Sequence, residues 1–354
     1  MKNIYLLIAE NYADSSGLIL ATVTGTTGST PQKPGSSALF LDGRLIAGTV
    51  GGGIIEGRVT KYANNCSGGC GSALLHFSLD RETSEREEAV CGGTITILVD
   101  SDPLAHPEVF REMKLSLGSG QPGVMVTKVI PWNDTSVMIK RCWTTGTGEI
   151  PISCTSGADL LLEVRNILET GNRAGYKEIV APVAGEKQPA MIYLEPVFPL
   201  PRLVIAGAGH IGKAVSHLGR LLEFEVMVID DREEFANAEN LPDADNIIVK
   251  DIGAAVNEIS KDMNTFIVIV TRGHGHDADA LRPCMGSKAA YVGMMGSRVK
   301  VAKMHEEFIT KGWATEDQWK QIHTPIGLEI GSQTVEEIAV SIAAQLVMVR
   351  RIKN

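Results

Sequence analysis

Several short stretches of this chain carry residues whose types and spacing could do chemistry. In Gly48-Thr-Val-Gly51-Gly52-Gly53-Ile-Ile-Glu56, three consecutive glycines open an expected helix that brings in Glu56. Such glycines can turn several backbone amides toward one point, a cradle for an anion. They also suit a strand-to-helix turn that needs positive φ, and the cluster alone leaves both readings open. Upstream, Gly28-Ser29-Thr-Pro31-Gln32-Lys33-Pro-Gly35 offers hydroxyls and one cation on a loop stiffened by two prolines, a site or a solvated loop. Cys91-Gly-Gly93 sets a thiol among small residues ahead of an apolar strand. A lowered pKa would make Cys91 a soft ligand for metal or sulfur; the alternative is a small buried hydrophobe. Cys66 and Cys70 stand at a Cys-x3-Cys spacing with no second pair to complete a zinc site.

The second half holds the most specific pattern. An apolar run at 203–206 leads into Gly207-Ala-Gly209-His210-Ile-Gly212, then a helical stretch, a second apolar run and Asp230-Asp-Arg232. This ordered set is a dinucleotide-binding fingerprint. Gly207 allows the tight turn, Gly209 a close approach to pyrophosphate, and Gly212 close packing of helix on strand. Asp230 is then placed to accept from a ribose 2′-hydroxyl. Thr271-Arg-Gly-His274-Gly-His-Asp277 follows another apolar run, at the carboxyl edge of the expected sheet, where contact with a ligand is favoured over metal binding. Asp277 could equally cap a helix. In Gly293-Met-Met-Gly-Ser297-Arg298-Val-Lys300, Ser297 is a good helix cap, but Arg298 and Lys300 oppose the helix dipole. A bound anion would offset that cost, and surface solubility is the alternative.

These motifs need elements to position them. In the first half, helices are expected over 1–16, 54–64, 107–117 and 159–169. Strands are expected over 18–24, 37–41, 45–50, 73–79, 94–99, 124–130, 137–143, 178–182 and 190–194, with a hairpin turn at Asp42-Gly43. Pro196, Pro199 and Pro201 mark a boundary. Beyond it, strands at 202–206, 225–229, 246–249, 265–270 and 289–293 alternate with helices at 211–223, 254–261, 278–285 and 298–310. That rhythm implies a parallel sheet. Thr334-Val-Glu-Glu337 is a capping box for a last helix. The reading is α/β: a mixed α+β domain over 1–198 and a Rossmann-like, doubly wound domain over 199–354.

Composition narrows the function classes. The 354 residues are 44% hydrophobic and 21% charged, and the net charge of −9 comes without a long basic run, which argues against nucleic acid as partner. No stretch approaches the roughly 20 apolar residues of a membrane span. The six cysteines are too few for a disulfide scaffold. With no secretory pattern at the start, the expected location is cytoplasmic.

Taken together, the segments resemble the XdhC/CoxI family of molybdenum-hydroxylase accessory proteins. The matching pieces are Gly28-Ser29 with Pro31, the 48–53 glycine run with Glu56, Cys91-Gly-Gly93, Gly207-Ala-Gly-His210, Asp230-Asp-Arg232, Gly293-x-x-Gly-Ser-Arg298, Pro325-Ile-Gly-Leu-x-Ile-Gly331 and Glu336-Glu-Ile-Ala339. Gln32 stands where the family often has arginine, Ile54 where many members have a second cysteine, and Val335 where a proline is usual. The resemblance implies a maturation chaperone rather than a turnover enzyme. It would bind molybdenum cofactor, as a molybdopterin mono- or dinucleotide, protect its sulfurated form and deliver it to an apo-hydroxylase of the xanthine dehydrogenase type. A cysteine desulfurase is a further implied partner, and a homodimer the expected assembly. In that scheme Cys91 is the metal ligand. Ser29, Lys33, Gly51, Gly52, Gly53, Glu56, Gly207, Gly209, His210, Gly212, Asp230, Arg232, His274, Ser297 and Arg298 contact the cofactor. The rival reading is an NAD(P)-dependent oxidoreductase with an N-terminal substrate domain.

Overall fold

The computed structural model describes residues 3–13, 15–66, 71–79, 92–133, 136–147, 149–151, 153–154, 160–170, 175–182 and 189–353. Cys91 and Cys70 lie outside them, as do positions 1, 2, 14 and 159 of the expected helices. The chain divides into two compact units, Met1–Pro199 and Leu200–Asn354.

In the first unit the order is α1 (Ile4–Asn11), β1 (Leu18–Gly28), β2 (Ser37–Leu41), β3 (Arg44–Gly48), α2 (Gly53–Cys66), β4 (Ala73–Ser78), β5 (Gly93–Asp100), α3 (Pro107–Gly118), β6 (Gly123–Pro131), β7 (Val137–Thr144), α4 (Leu160–Thr170), β8 (Lys177–Ala181) and β9 (Ala190–Val197). Two antiparallel sheets result, ordered β3-β2-β1-β5-β4 and β7-β6-β9-β8. The first helix is shorter than expected because Asn3 caps it, accepting from Tyr5 N at 2.9 Å, and it stops at Asn11. Asp42 and Gly43 both take positive φ, 47° and 73°, the backbone that a two-residue hairpin needs.

Alternation along each strand sorts the core. Ile19, Ala21, Val23, Ile95 and Ile97 pack against Ile55, Val59 and Ala63 of α2. Leu18, Leu20 and Leu39 meet α1 and α3 through Ile8, Phe110 and Met113, joined by Met125 and Trp143 of the second sheet. The outer face of that sheet carries Val124, Val126, Ile192 and Leu194 against Val164 and Ile167 of α4. Each such valine, leucine, isoleucine, methionine or phenylalanine contributes about 1.5–3 kcal/mol on burial. A polar cluster interrupts this core: the buried Arg141 Nη1 donates to Asp100 Oδ2, and Tyr5 Oη donates to Glu195 Oε2 at 2.6 Å.

The second unit runs β10 (Arg202–Ala206), α5 (His210–Leu221), β11 (Glu225–Asp230), β12 (Asn246–Val249), α6 (Ile252–Glu258), β13 (Thr265–Ile269), α7 (His274–Leu281), β14 (Tyr291–Met294), α8 (Arg298–Thr310), α9 (Glu316–Trp319) and α10 (Val335–Lys353). Its five strands are parallel, in the order β12-β11-β10-β13-β14. The doubly wound sheet expected from the sequence is therefore present. Leu203, Ile205, Val226 and Val268 point to Val215 of α5 and Ile342 and Leu346 of α10. Val204, Ala206, Ile229 and Ile267 point the other way, to α6, α7 and α8. A sheet covered on both faces explains why these strands read as continuous apolar runs.

The start of α7 differs from expectation by four residues. Gly273 occupies its N-cap position, and Arg282–Cys284 is a separate 3-10 turn containing Pro283, which ends the helix early. The capping box at Thr334 forms as expected: Glu337 N donates to Thr334 Oγ1 at 3.2 Å, and Thr334 N to Glu337 Oε2 at 3.1 Å. Among the described residues no helix is long and apolar enough to cross a membrane.

Candidate functional site

Within the first unit, three loops singled out in the sequence meet. Gly28 pairs with Gly93 where β1 and β5 end their register. A Cβ on Gly93 would lie 2.4 Å from Thr27 O and 2.6 Å from Ser29 O, and one on Gly28 would lie 2.6 Å from Gly92 O. Only bare backbone fits at this crossing. Pro31 Cγ lies 3.1 Å from the Cβ position of Gly51, which joins the 28–35 loop to the glycine run. Gly92 and Gly93 are thus brought to the other two loops, while Cys91 itself lies outside the described residues.

The glycine run takes positive φ at Gly51, Gly52 and Gly53 (137°, 66° and 50°), so the turn reading is satisfied. It also leaves space: nothing lies within 4 Å of the Cβ positions of Gly52 and Gly53. Their amides and those of Ile54 and Ile55 precede the helix ladder, which begins with Glu56 N donating to Gly52 O at 3.3 Å. Thr49 shapes the turn, accepting from Gly51 N at 3.2 Å while its hydroxyl donates to Glu56 Oε1. Glu56 is therefore engaged by its own loop. Ser29 and Lys33 are exposed. Gln32 is turned inward, where its Oε1 accepts from Ser36 Oγ at 2.9 Å.

In the second unit the fingerprint glycines have distinct surroundings. A Cβ on Gly207 (φ 116°) would lie 2.6 Å from Val270 O, and one on Gly212 would lie 1.9 Å from Gly207 O. Those two glycines are required by the fold. Gly209 has nothing within 4 Å of its Cβ position at the start of α5, where His210 is exposed.

Asp230 ends β11, as expected, but its carboxylate is already engaged. It is 1% exposed, and its oxygens accept from Ala208 N at 2.7 Å, Arg232 N at 3.1 Å, Arg232 Nε at 2.8 Å and Arg232 Nη2 at 2.9 Å. Burial pushes its pKa up, but the guanidinium and the two amides outweigh burial and hold it at about 2. Arg232 in turn lies 3.9 Å from the centre of the Phe235 ring. The pair ties the β10 turn to the end of β11 and offers a ribose no idle oxygen.

Asp277 is not a helix cap either. It is fully buried, accepts from Thr271 Oγ1 at 2.6 Å and is paired with Lys300 Nζ. That protein carboxylate offsets the unfavourable place of Lys300 near a helix N-terminus, a job the sequence left to a bound anion or to surface solubility. Ser297 caps α8, accepting from Lys300 N at 3.2 Å. Arg298 is exposed and lies 3.5 Å from Glu329. His274 Nε2 is 3.0 Å from Glu307 Oε2. Among the described residues no group of three or more His, Cys, Asp or Glu side chains could hold a metal. Sequence reasoning passed over Asp231 and Arg272, which meet at 2.8 Å. The doubled acid of Asp230-Asp231 was the available signal.

A model of the XdhC and CoxI family matches residues 13–78, and a model of the XdhC Rossmann domain matches residues 203–346. The uncharacterized protein YqeB of Escherichia coli strain K12 is 33% identical over 151 residues, which span 42% of this chain but only 27% of YqeB. A probable xanthine dehydrogenase subunit of Bacillus subtilis strain 168 is 22% identical over 353 residues, covering 99% of this chain and 98% of that protein. A solved structure from Bacillus halodurans, described as a xanthine dehydrogenase, shares the fold. Its TM-score is 0.77 at 21% identity, over 100% of this chain and 97% of that one.

Proposed function

The chain belongs to the XdhC and CoxI family, and on that premise we propose that it is an accessory protein of a xanthine dehydrogenase-type molybdenum hydroxylase. In this reading it binds molybdenum cofactor, shields the sulfurated form and hands it to the apo-hydroxylase. One observation supports the proposal: the 28–35 and 48–56 loops meet each other and Gly92-Gly93 in the first unit, in close approaches made at glycines.

The residues present fit such a group. Gly52 and Gly53 offer an open cradle from which positive φ excludes other side chains, and the first-turn amides of α2 favour a phosphate. Ser29 and Lys33 stand on the adjoining loop to take further phosphate contacts. Cys91, next to Gly92 in the sequence, is the soft ligand in this scheme. When bound, the cofactor supplies a molybdenum centre with sulfur ligands, which a thiolate suits better than oxygen donors do. Glu56, held by Thr49, keeps the turn in shape.

For the second unit we infer a nucleotide in the crevice at 207–212. Its pyrophosphate would lie at the amides after Gly209, whether it belongs to a molybdopterin dinucleotide or to NAD(P). The order of the parallel sheet and the open position at Gly209 support this.

Fluorescence of oxidised pterin, measured on protein produced with the cofactor pathway intact, tests the proposal. Wild type should retain pterin and Cys91→Ser should lose most of it. Cys284→Ser should behave as wild type, because that thiol is buried and burial pushes its pKa up to about 12. Absence of pterin from the wild type would overturn the reading. Equal retention by all three proteins would assign Cys91 to packing.

A further inference from the structure

The ribose end of the crevice has a second carboxylate, and the argument for it rests on the nucleotide reading of the second unit. Both oxygens of Asp230 are consumed by Arg232 and two backbone amides, so a ribose would have to displace a bidentate guanidinium there. Asp231, the next residue, has a side chain 31% exposed, and its Oδ2 accepts from Arg272 Nη2 at 2.8 Å. Asp231 directly follows β11, and Arg272 follows β13. Since β10 lies between those strands, the pair bridges the carboxyl end of β10, beside the Gly207 turn. That is the switch point at which an open parallel sheet takes its ligand. The Arg272 side chain is 48% exposed, and an ion pair so placed contributes little to stability. Its position, rather than its strength, is the informative property.

We propose that Asp231 and Arg272 are the specificity-determining pair of this crevice, with Asp231 accepting from the ribose hydroxyls and so selecting a nucleotide whose 2′-hydroxyl is free. A 2′-phosphate at that point would face the Asp231 carboxylate. The two guanidiniums nearby are each already matched to an acid, Arg232 to Asp230 and Arg272 to Asp231. Taking the charge from Asp231 releases Arg272, which can then pair with a phosphate.

Calorimetry on the full chain with NAD+ and NADP+ as probes tests this. Wild type should bind NAD+ about tenfold more tightly than NADP+, in keeping with one hydrogen bond to a charged acceptor. Asp231→Asn should weaken NAD+ by about tenfold and bring NADP+ level with it or ahead. Adding Arg272→Ala should abolish the gain for NADP+. An unchanged preference in Asp231→Asn, or none in the wild type, would overturn the pair while leaving the nucleotide reading intact. Failure of the wild type to bind either probe would overturn both.

Discussion

Lys300 in the first turn of α8 is bound to Asp277, a carboxylate that α7 holds with no exposed surface while the lysine side chain keeps 27% of its own. The contact joins two helices on one face of the parallel sheet, under the loops at its carboxyl edge. It explains a cation where the helix dipole disfavours one.

Lys300→Met should therefore cost about 3–5 kcal/mol, because it strands a buried charge. Combining it with Asp277→Leu should restore most of the loss. Urea denaturation of the three proteins measures this, and a double variant no more stable than Lys300→Met would refute the pairing account.

Gly212→Ala and Gly209→Ala should separate fold from ligand. The first sets a Cβ 1.9 Å from Gly207 O and should cost about 3 kcal/mol or more. The second meets nothing within 4 Å and has φ −69°, so its stability should change by less than about 0.5 kcal/mol. Nucleotide affinity in Gly209→Ala should still fall, since the added methyl fills the approach of the pyrophosphate. Melting curves and calorimetry together decide it.

Acid should expose the role of Asp230. Its pKa is about 2 in the folded chain against an ordinary 3.8, so its stabilisation is complete above pH 4 and is lost as pH falls through 2. At pH 7 that is about 2 kcal/mol. Asp230→Asn should be destabilised at neutral pH, with the gap to wild type closing between pH 4 and pH 2. A gap independent of pH would contradict the ion pair.

Glu195 should act in the opposite direction. Burial raises its pKa to about 7 from 4.5, although the Tyr5 hydroxyl and Arg141 partly offset that. Its contribution is greatest below pH 4.5 and is lost as pH rises to 7, by up to about 1.4 kcal/mol per unit. Glu195→Gln should flatten this slope and gain on wild type as pH rises. Parallel stability profiles for the two proteins would exclude the effect.

Legibility in the sequence tracked the range of the interaction involved. The Asp42-Gly43 turn and the Thr334 capping box were readable because each is settled by a few adjacent residues. The strands of the parallel sheet were readable because burial on both faces leaves an unbroken apolar run, as in 203–206. Asp277 was not, because its partner Lys300 is 23 residues away on another helix. Asp230 was readable in position, since it ends β11, but not in its partner, because Arg232 folds back two residues to occupy it.

The strand order of the second unit bears on how the chain is made. β10 is the first of the five strands to emerge during synthesis, yet it ends at the centre of the sheet, flanked by β11 and by the much later β13. One of its edges stays open until Thr265 and its successors have left the ribosome. Until then the apolar run at 203–206 is a template for any passing strand, and α5 is the earliest cover it can recruit. Delay between β11 and β13 is thus an interval in which the nascent second unit is open to mispairing, and in which a holding chaperone would help it.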